Sequence, residues 1–256
     1  MNGTITTIII GIIMVVIMVD FHTHIIYDVD DGARSLEESV IMLLEAKEAG
    51  FTDIIVTPHY MENHYEVSRD IIGKKINELE KIIKKNNIGI RIYQSNELYI
   101  SNNITKLIEK GIASSVNNTR YILFETPMGE KPTNLKQIIY MMRKEGKIPI
   151  IAHPERYVYV QKNPNEVYEF IQEGALFQAN YGSLVGRYGK EAQKTVVKLL
   201  KNNMIHFMGS DTHRPNQNYL KIKEALEMMK KIISQEQIQK ITCDNARKVL
   251  KDEDLE

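Results

Sequence analysis

The chain has 256 residues, 33 Lys and Arg against 33 Asp and Glu, 43% hydrophobic residues, 7% aromatic residues and no Trp. The even charge balance, with Lys spread along expected helices, leaves no basic stripe for a nucleic-acid backbone. One cysteine, Cys243, excludes an internal disulfide framework and suits a reducing cytoplasm. Val249 stands where a cysteine-dependent phosphatase would need its phosphate-cradling Arg, so Cys243 reads as incidental.

Residues 8–19 are nearly all apolar, but no basic residue precedes them and no small-residue cleavage site follows. The run is also shorter than the roughly 20 residues that span a bilayer. It is therefore read as no stable membrane span, with a short anchor as the alternative. Its second half, residues 12–19, is expected to be the first strand. Translation is expected to begin at Met14 or Met18, which leaves residues 1–17 as an extension and 18–256 as one domain.

After this strand come His22 and His24, then the acidic loop Asp28-Val29-Asp30-Asp31-Gly32. In an extended chain residues two apart face the same side, so the two imidazoles point together. The loop can return a carboxylate, Asp31 being preferred, and Gly32 permits a tight bend. Ser35 and Glu38 form a capping box for a helix that ends before Gly50. A strand at 53–57 then leads to Pro58-His59-Tyr60. A helix at 69–85 and a strand at 90–95 follow, with Asn96-Glu97 at the strand's end. A short helix at 104–110 precedes a strand at 121–124 that closes on Glu125, and a helix from Pro132 stops at Gly146. Strand 149–152 ends at His153-Pro154, and a helix from Asn163-Pro164 stops at Gly174. Strand 176–179 runs into Asn180-Tyr181-Gly182-Ser183. A helix at 190–202 leads to strand 206–209, followed by Ser210-Asp211-Thr212-His213-Arg214. Two or three helices finish the chain, one from a second capping box at Ser234 and Gln237.

Seven apolar strands alternating with helices imply a parallel sheet covered on both faces, closed or nearly closed into an α/β barrel. Working residues of such barrels sit at the C-terminal strand ends. Those ends carry His22, His24, His59, Glu97, Glu125, His153, Asp211 and His213. So many polar groups converging on one mouth would be costly without compensating charge, and divalent cations supply it. The mixed nitrogen–oxygen set lacks thiolate, which points to Mn²⁺, Fe²⁺ or Zn²⁺ in a hydrolytic cluster rather than structural zinc. Arg156 and Arg214 fall at the same mouth and suit an anion.

These stretches carry a resemblance. V-D-F-H-T-H-I-I-Y-D-V-D-D-G, I-I-V-T-P-H-Y, N-E-L-Y, R-Y-I-L-F-E-T-P-M, P-I-I-A-H-P-E-R-Y, Q-A-N-Y-G-S-L-V-G and H-F-M-G-S-D-T-H occur in this order from Met18 onward. The chain resembles the polymerase-and-histidinol-phosphatase (PHP) superfamily, and within it the manganese-dependent protein tyrosine phosphatases of bacterial capsule operons, the CpsB/CapC type. The resemblance implies a distorted (β/α)7 TIM-like barrel. It implies that His22, His24, Asp31, His59, Glu97, Glu125, His153, Asp211 and His213 bind two or three ions, Mn²⁺ first, and that Arg156 and Arg214 bind phosphate. The apolar extension is not part of the family pattern, and Arg214 stands closer to the last His than in many relatives.

The expected chemistry is metal-assisted hydrolysis of a phosphomonoester without a phosphoenzyme. His59 and Asp211 are the candidate proton donors to the leaving group. The expected substrate is the Tyr-rich tail of a cognate bacterial tyrosine kinase controlling capsule or exopolysaccharide export. A small-molecule phosphatase, such as one acting on histidinol phosphate, is the alternative; a non-catalytic module is disfavoured by the intact donor set. Tyr60, Tyr65 and Tyr157 read chiefly as packing and secondarily as contacts for the substrate ring. His64 reads as a surface residue and His206 as a core residue. The sequence leaves the oligomeric state open.

Overall fold

The computed structural model describes residues 17–255. Most of the expected extension and the first half of the expected first strand lie outside the described residues. Ten strands are present among them: β1 (Met18–Thr23), β2 (Phe51–Val56), β3 (His59–Met61), β4 (Tyr65–Glu66), β5 (Arg91–Gln94), β6 (Glu97–Tyr99), β7 (Tyr121–Glu125), β8 (Ile148–Ala152), β9 (Leu176–Asn180) and β10 (Phe207–Gly209). They form a three-stranded sheet ordered β1-β2-β5 and a seven-stranded sheet ordered β10-β9-β8-β7-β6-β3-β4. Every pairing is parallel except β3 with β4.

β1 differs from expectation. It runs through Thr23 instead of ending at Val19, so His22 lies within it. Pairing carries it on, with Asp20 opposite Ile54 and Thr23 opposite Val56 across a register irregularity. Its buried polar residues find partners on the segment after β10. Asp20 accepts from Ser210 N (2.7 Å), Ser210 Oγ (2.6 Å) and Tyr219 OH (2.8 Å). The two sheets also touch here: Asp211 N donates to His22 O (2.8 Å) and His24 N to Thr212 O (3.0 Å). The short strands β3, β4 and β6 were not expected; β3 and β6 continue the chain just past β2 and β5, where the second sheet takes over.

The apolar core divides by the period-two alternation of the strands. Val19, Phe21, Ile55, Leu123, Ile150 and Phe207 meet between the sheets, with the Phe21 and Phe207 rings stacked 4.0 Å apart. Ala246 and Val249 of the last helix join this cluster. The intervening residues, such as Ile54, Ile122, Ile151 and Met208, pack against the helices. Helices start and stop largely where the sequence signals place them. Ser35 Oγ accepts from Glu38 N and Ser234 Oγ from Gln237 N, while Gly50 ends the first helix in the left-handed region.

One close approach fixes the position of β1. A Cβ on Gly209 would sit 2.6 Å from His22 Cβ, so only glycine lets β10 lie against His22. The His206 ring lies at the other end of β10, just before the strand begins.

Candidate metal centre

Six of the ten strands deliver one or two donors each to the same mouth. β1 contributes His22, with His24 immediately after it; β3 begins with His59, β6 begins with Glu97, and β7 ends with Glu125. His153 follows β8, and Asp211 and His213 follow β10. His153 and Asp211 both take a positive φ, 32° and 49°. Such non-glycine conformations cost about 1–3 kcal/mol each and persist only where surrounding structure enforces them. Here they turn the two side chains inward at the ends of β8 and β10.

Glu97 is the hub, almost fully buried. Its Oε2 lies 3.1 Å from His22 Nε2, 3.3 Å from His24 Nε2 and 3.2 Å from His59 Nδ1. Its Oε1 lies 2.9 Å from His153 Nε2. Glu125 Oε1 approaches His59 Nδ1 at 3.3 Å. Asp31, half-exposed, brings Oδ1 to 3.5 Å from His59 Nε2 and 3.4 Å from His213 Nε2. Asp211 Oδ1 stands 3.6 Å from His22 Nε2, His24 Nε2 and His213 Nδ1. All nine residues singled out in the sequence thus converge, in overlapping groups of three or four whose donor atoms lie within 4.8 Å of one another.

The donor set fits cations for a specific reason. His22 Nδ1 faces Gln178 Oε1 at 2.8 Å, and His24 Nδ1 faces Asp30 Oδ2 at 2.8 Å. In the neutral rings each acceptor holds the proton on Nδ1 and leaves a lone pair on Nε2. Those two Nε2 atoms lie 3.1 Å apart in a fully buried place. Two lone pairs at that separation repel unless a positive charge sits between or beside them. His153 Nδ1 is buried with no hydrogen-bond partner among the described residues. The field has the matching sign. Burial opposes charge on His22, yet Glu97 and Asp211 outweigh it and push the imidazole up to about 9. His24 is raised well above its usual value, because Asp30 and Glu97 overcome the same burial. Burial would raise Glu97, but the surrounding imidazoles hold it well below the usual carboxylate range, and Asp211 is lowered in the same way.

Several residues that hold this arrangement were missed by the sequence reading. Asp30, not only Asp31, is essential to the acidic loop: it also accepts from His59 N (2.9 Å) and Gly32 N (2.8 Å). Gln178 and Asn180 sit two apart on β9, where Gln178 Nε2 donates to Asn180 Oδ1 (2.9 Å) and Asn180 Nδ2 to Asp211 Oδ2 (2.7 Å). Two amides alternating within L-F-Q-A-N were the available signal. Glu155, buried beside His153, accepts from Asn180 N (2.9 Å) and Ser183 Oγ (2.6 Å) and so locks β9 to the turn after β8.

The two arginines are placed differently. Arg156 Nη1 donates to Asp211 Oδ2 at 2.8 Å. Arg214 Nη1 donates to the carbonyls of Asp31 (2.6 Å), His213 (2.9 Å) and Gly32, tying the acidic loop to the segment after β10. Of the tyrosines, Tyr60 and Tyr157 are buried, and Tyr157 OH accepts from Thr126 N at 3.0 Å. Tyr65 stacks on His59 with ring centroids 5.9 Å apart. His64 is exposed and packs on Tyr65.

Comparison with known proteins adds four findings. The family model for capsular polysaccharide synthesis, CpsB/CapC, matches residues 18–251. A protein named CapC from Staphylococcus aureus is 36% identical over 196 residues, 77% of each chain. The tyrosine-protein phosphatase YwqE of Bacillus subtilis is 32% identical over 238 residues, 93% of each chain. Among solved structures, a chain from the work on YwqE of Bacillus subtilis and CpsB of Streptococcus pneumoniae, described as metal-dependent tyrosine phosphatases, superposes with a TM-score of 0.88 at 31% identity. That match covers 93% of this chain and 96% of the other.

Proposed function

The chain belongs to the CpsB/CapC family of capsular polysaccharide synthesis, and from that premise we propose that it is a metal-dependent protein tyrosine phosphatase. Its substrate is the phosphotyrosine tail of a bacterial tyrosine kinase that governs capsule or exopolysaccharide synthesis. The carrying observation is the convergence of five imidazoles and four carboxylates, in overlapping groups, at one mouth. A nitrogen–oxygen set without thiolate suits two or three divalent ions, Mn²⁺ first and Fe²⁺ or Zn²⁺ as alternatives. Bound there, such ions would neutralise phosphate charge and lower the pKa of a water so that hydroxide is available to attack phosphorus.

The chain's own residues do the rest. Gln178 and Asp30 hold His22 and His24 with their Nε2 lone pairs forward. Arg156, at the mouth, receives equatorial phosphate oxygens. Arg214 reaches them by exchanging its carbonyl contacts in the acidic loop for a phosphate oxygen. Of the two candidate proton donors, His59, partly exposed beside Asp31, is placed to hand a proton to the departing tyrosine oxygen, whereas Asp211, held ionised by the surrounding imidazoles and Arg156, has none to give. The hydrogen bonds between β1 and the segment after β10 support a closed, distorted (β/α)7 barrel of the PHP type as the phosphatase domain from residue 18 onward. Among the described residues no helix is long and apolar enough to cross a membrane, and the single thiol, buried and free, suits a cytoplasmic site of action.

Turnover of a phosphotyrosyl peptide and of histidinol phosphate, side by side with Mn²⁺, tests the reading. Peptide turnover that a chelator abolishes and Mn²⁺ restores is expected. Turnover of histidinol phosphate alone would replace it with the small-molecule reading.

A further inference from the structure

Arg156 is held in an unusual way. Its guanidinium carries five N–H groups, and one nitrogen, Nη1, is committed to Asp211 Oδ2 at 2.8 Å. Among the described residues no acceptor meets its remaining N–H groups. What else holds it is a ring: the guanidinium carbon lies 4.5 Å from the centroid of Tyr188. Tyr188 stands in the Gly186-Arg187-Tyr188-Gly189 turn, beyond β9, on a part of the chain remote in sequence from Arg156.

Tyr188 is itself fixed at the hydroxyl end. Its OH donates toward Asp211 Oδ2 (3.4 Å) and accepts from Asn218 Nδ2 (3.3 Å). The same Asn218 Nδ2 donates to the carbonyls of Ser210 (2.7 Å) and Asp211 (2.9 Å). The two oxygens of Asp211 therefore face different groups. Oδ1 faces the imidazoles, while Oδ2 is shared by Arg156, Asn180 and Tyr188.

We infer that Tyr188 is a positioning residue for anion recognition: its ring fixes the plane of the Arg156 guanidinium, so that the uncommitted N–H edge is presented to a phosphate group in the mouth. A cation stacked on an aromatic face keeps its in-plane donors free, because the attraction acts through the face and consumes no N–H. A second carboxylate in that place would compete with the phosphate for the same donors. The inference rests on the phosphatase reading only for the identity of the anion; the stacking and the free edge stand by themselves.

The test compares Tyr188→Phe, which keeps the ring, with Tyr188→Leu, which removes it. Binding of inorganic phosphate to the Mn²⁺-loaded protein is measured by calorimetry, with manganese content and unfolding temperature recorded for each variant. Turnover of a phosphotyrosyl peptide supplies KM and kcat. Tyr188→Leu is expected to weaken phosphate binding and raise KM by about tenfold, with a smaller fall in kcat and unchanged manganese content. Tyr188→Phe is expected to stay within about threefold of the parent. Equal losses in both variants, or unchanged phosphate binding in Tyr188→Leu, would overturn the role of the ring. If Tyr188→Leu loses manganese or unfolds, the Phe variant decides: phosphate binding weakened tenfold in it overturns the inference, and parental binding upholds it. Phosphate binding with this pattern but no peptide turnover in any form would sink the phosphatase reading and leave the positioning role intact.

Discussion

Two different settings for histidine flank β10. Beyond its C-terminal end, His213 joins His22, His24, His59 and His153 around Glu97 and Asp211. Just before its N-terminal end, His206 is half-buried, accepts from Phe177 N at 3.1 Å and has Lys240 for a charged neighbour. Burial penalises a charged imidazole in both places. At His206 burial is joined by the charge of Lys240, which also opposes protonation, so the ring falls to about 4. At His22 the carboxylates reverse the sign and the ring rises to about 9. Burial alone therefore does not make a cation site; burial combined with surplus negative charge does.

The largest expected effect breaks the comparison at the mouth. His153→Ala or Asp211→Ala should lower peptide turnover by at least about a hundredfold while the circular dichroism spectrum stays parental. A fully active His153→Ala protein would remove that residue from the site. Next come the residues behind the donors. Gln178→Ala or Asp30→Ala should weaken Mn²⁺ binding by about ten- to a hundredfold, read by titration calorimetry, because the ring orientation of His22 or His24 is no longer held. His206→Asn, by contrast, should change turnover less than about twofold.

The smallest effect is in pH dependence, and its signs differ between the two settings. The unfolded chain protonates His206 near 6.5 and the fold only near 4, so the unfolded state binds more protons between those values. Stability is thus lost as pH falls from 6.5 towards 4, and His206→Asn should flatten that slope in thermal melts. His22 works in the other direction in chelated protein. Its contribution is fully present below 6.5 and is lost as pH rises through about 9. Melts of chelated His22→Asn that kept the parental slope above pH 6.5 would contradict this.

Much of this was legible in the sequence because its signals are local. The N-caps at Ser35 and Ser234, the long helix Arg69–Lys85 and the apolar strands depend on neighbours in the chain. The strand-end donors were legible because parallel strands in an α/β fold deliver their ends to one side. The extent of β1 was not, since Asp20 and His22 look like loop residues until Ser210, Tyr219 and β10 arrive to satisfy them. Gln178, Asn180 and Tyr188 escaped for the same reason: each acts through a partner remote in sequence, His22, Asp211 and Arg156 respectively. Asp30 and Asp31 were adjacent carboxylates that only the fold could separate into a partner for His24 and a group facing the mouth.

The most direct test of the central claim is the number of Mn²⁺ ions bound per chain, counted by titration of the chelated wild-type protein with elemental analysis of the product. Two or three tightly held ions, reduced in His153→Ala, are expected. A folded protein that binds none would contradict the account.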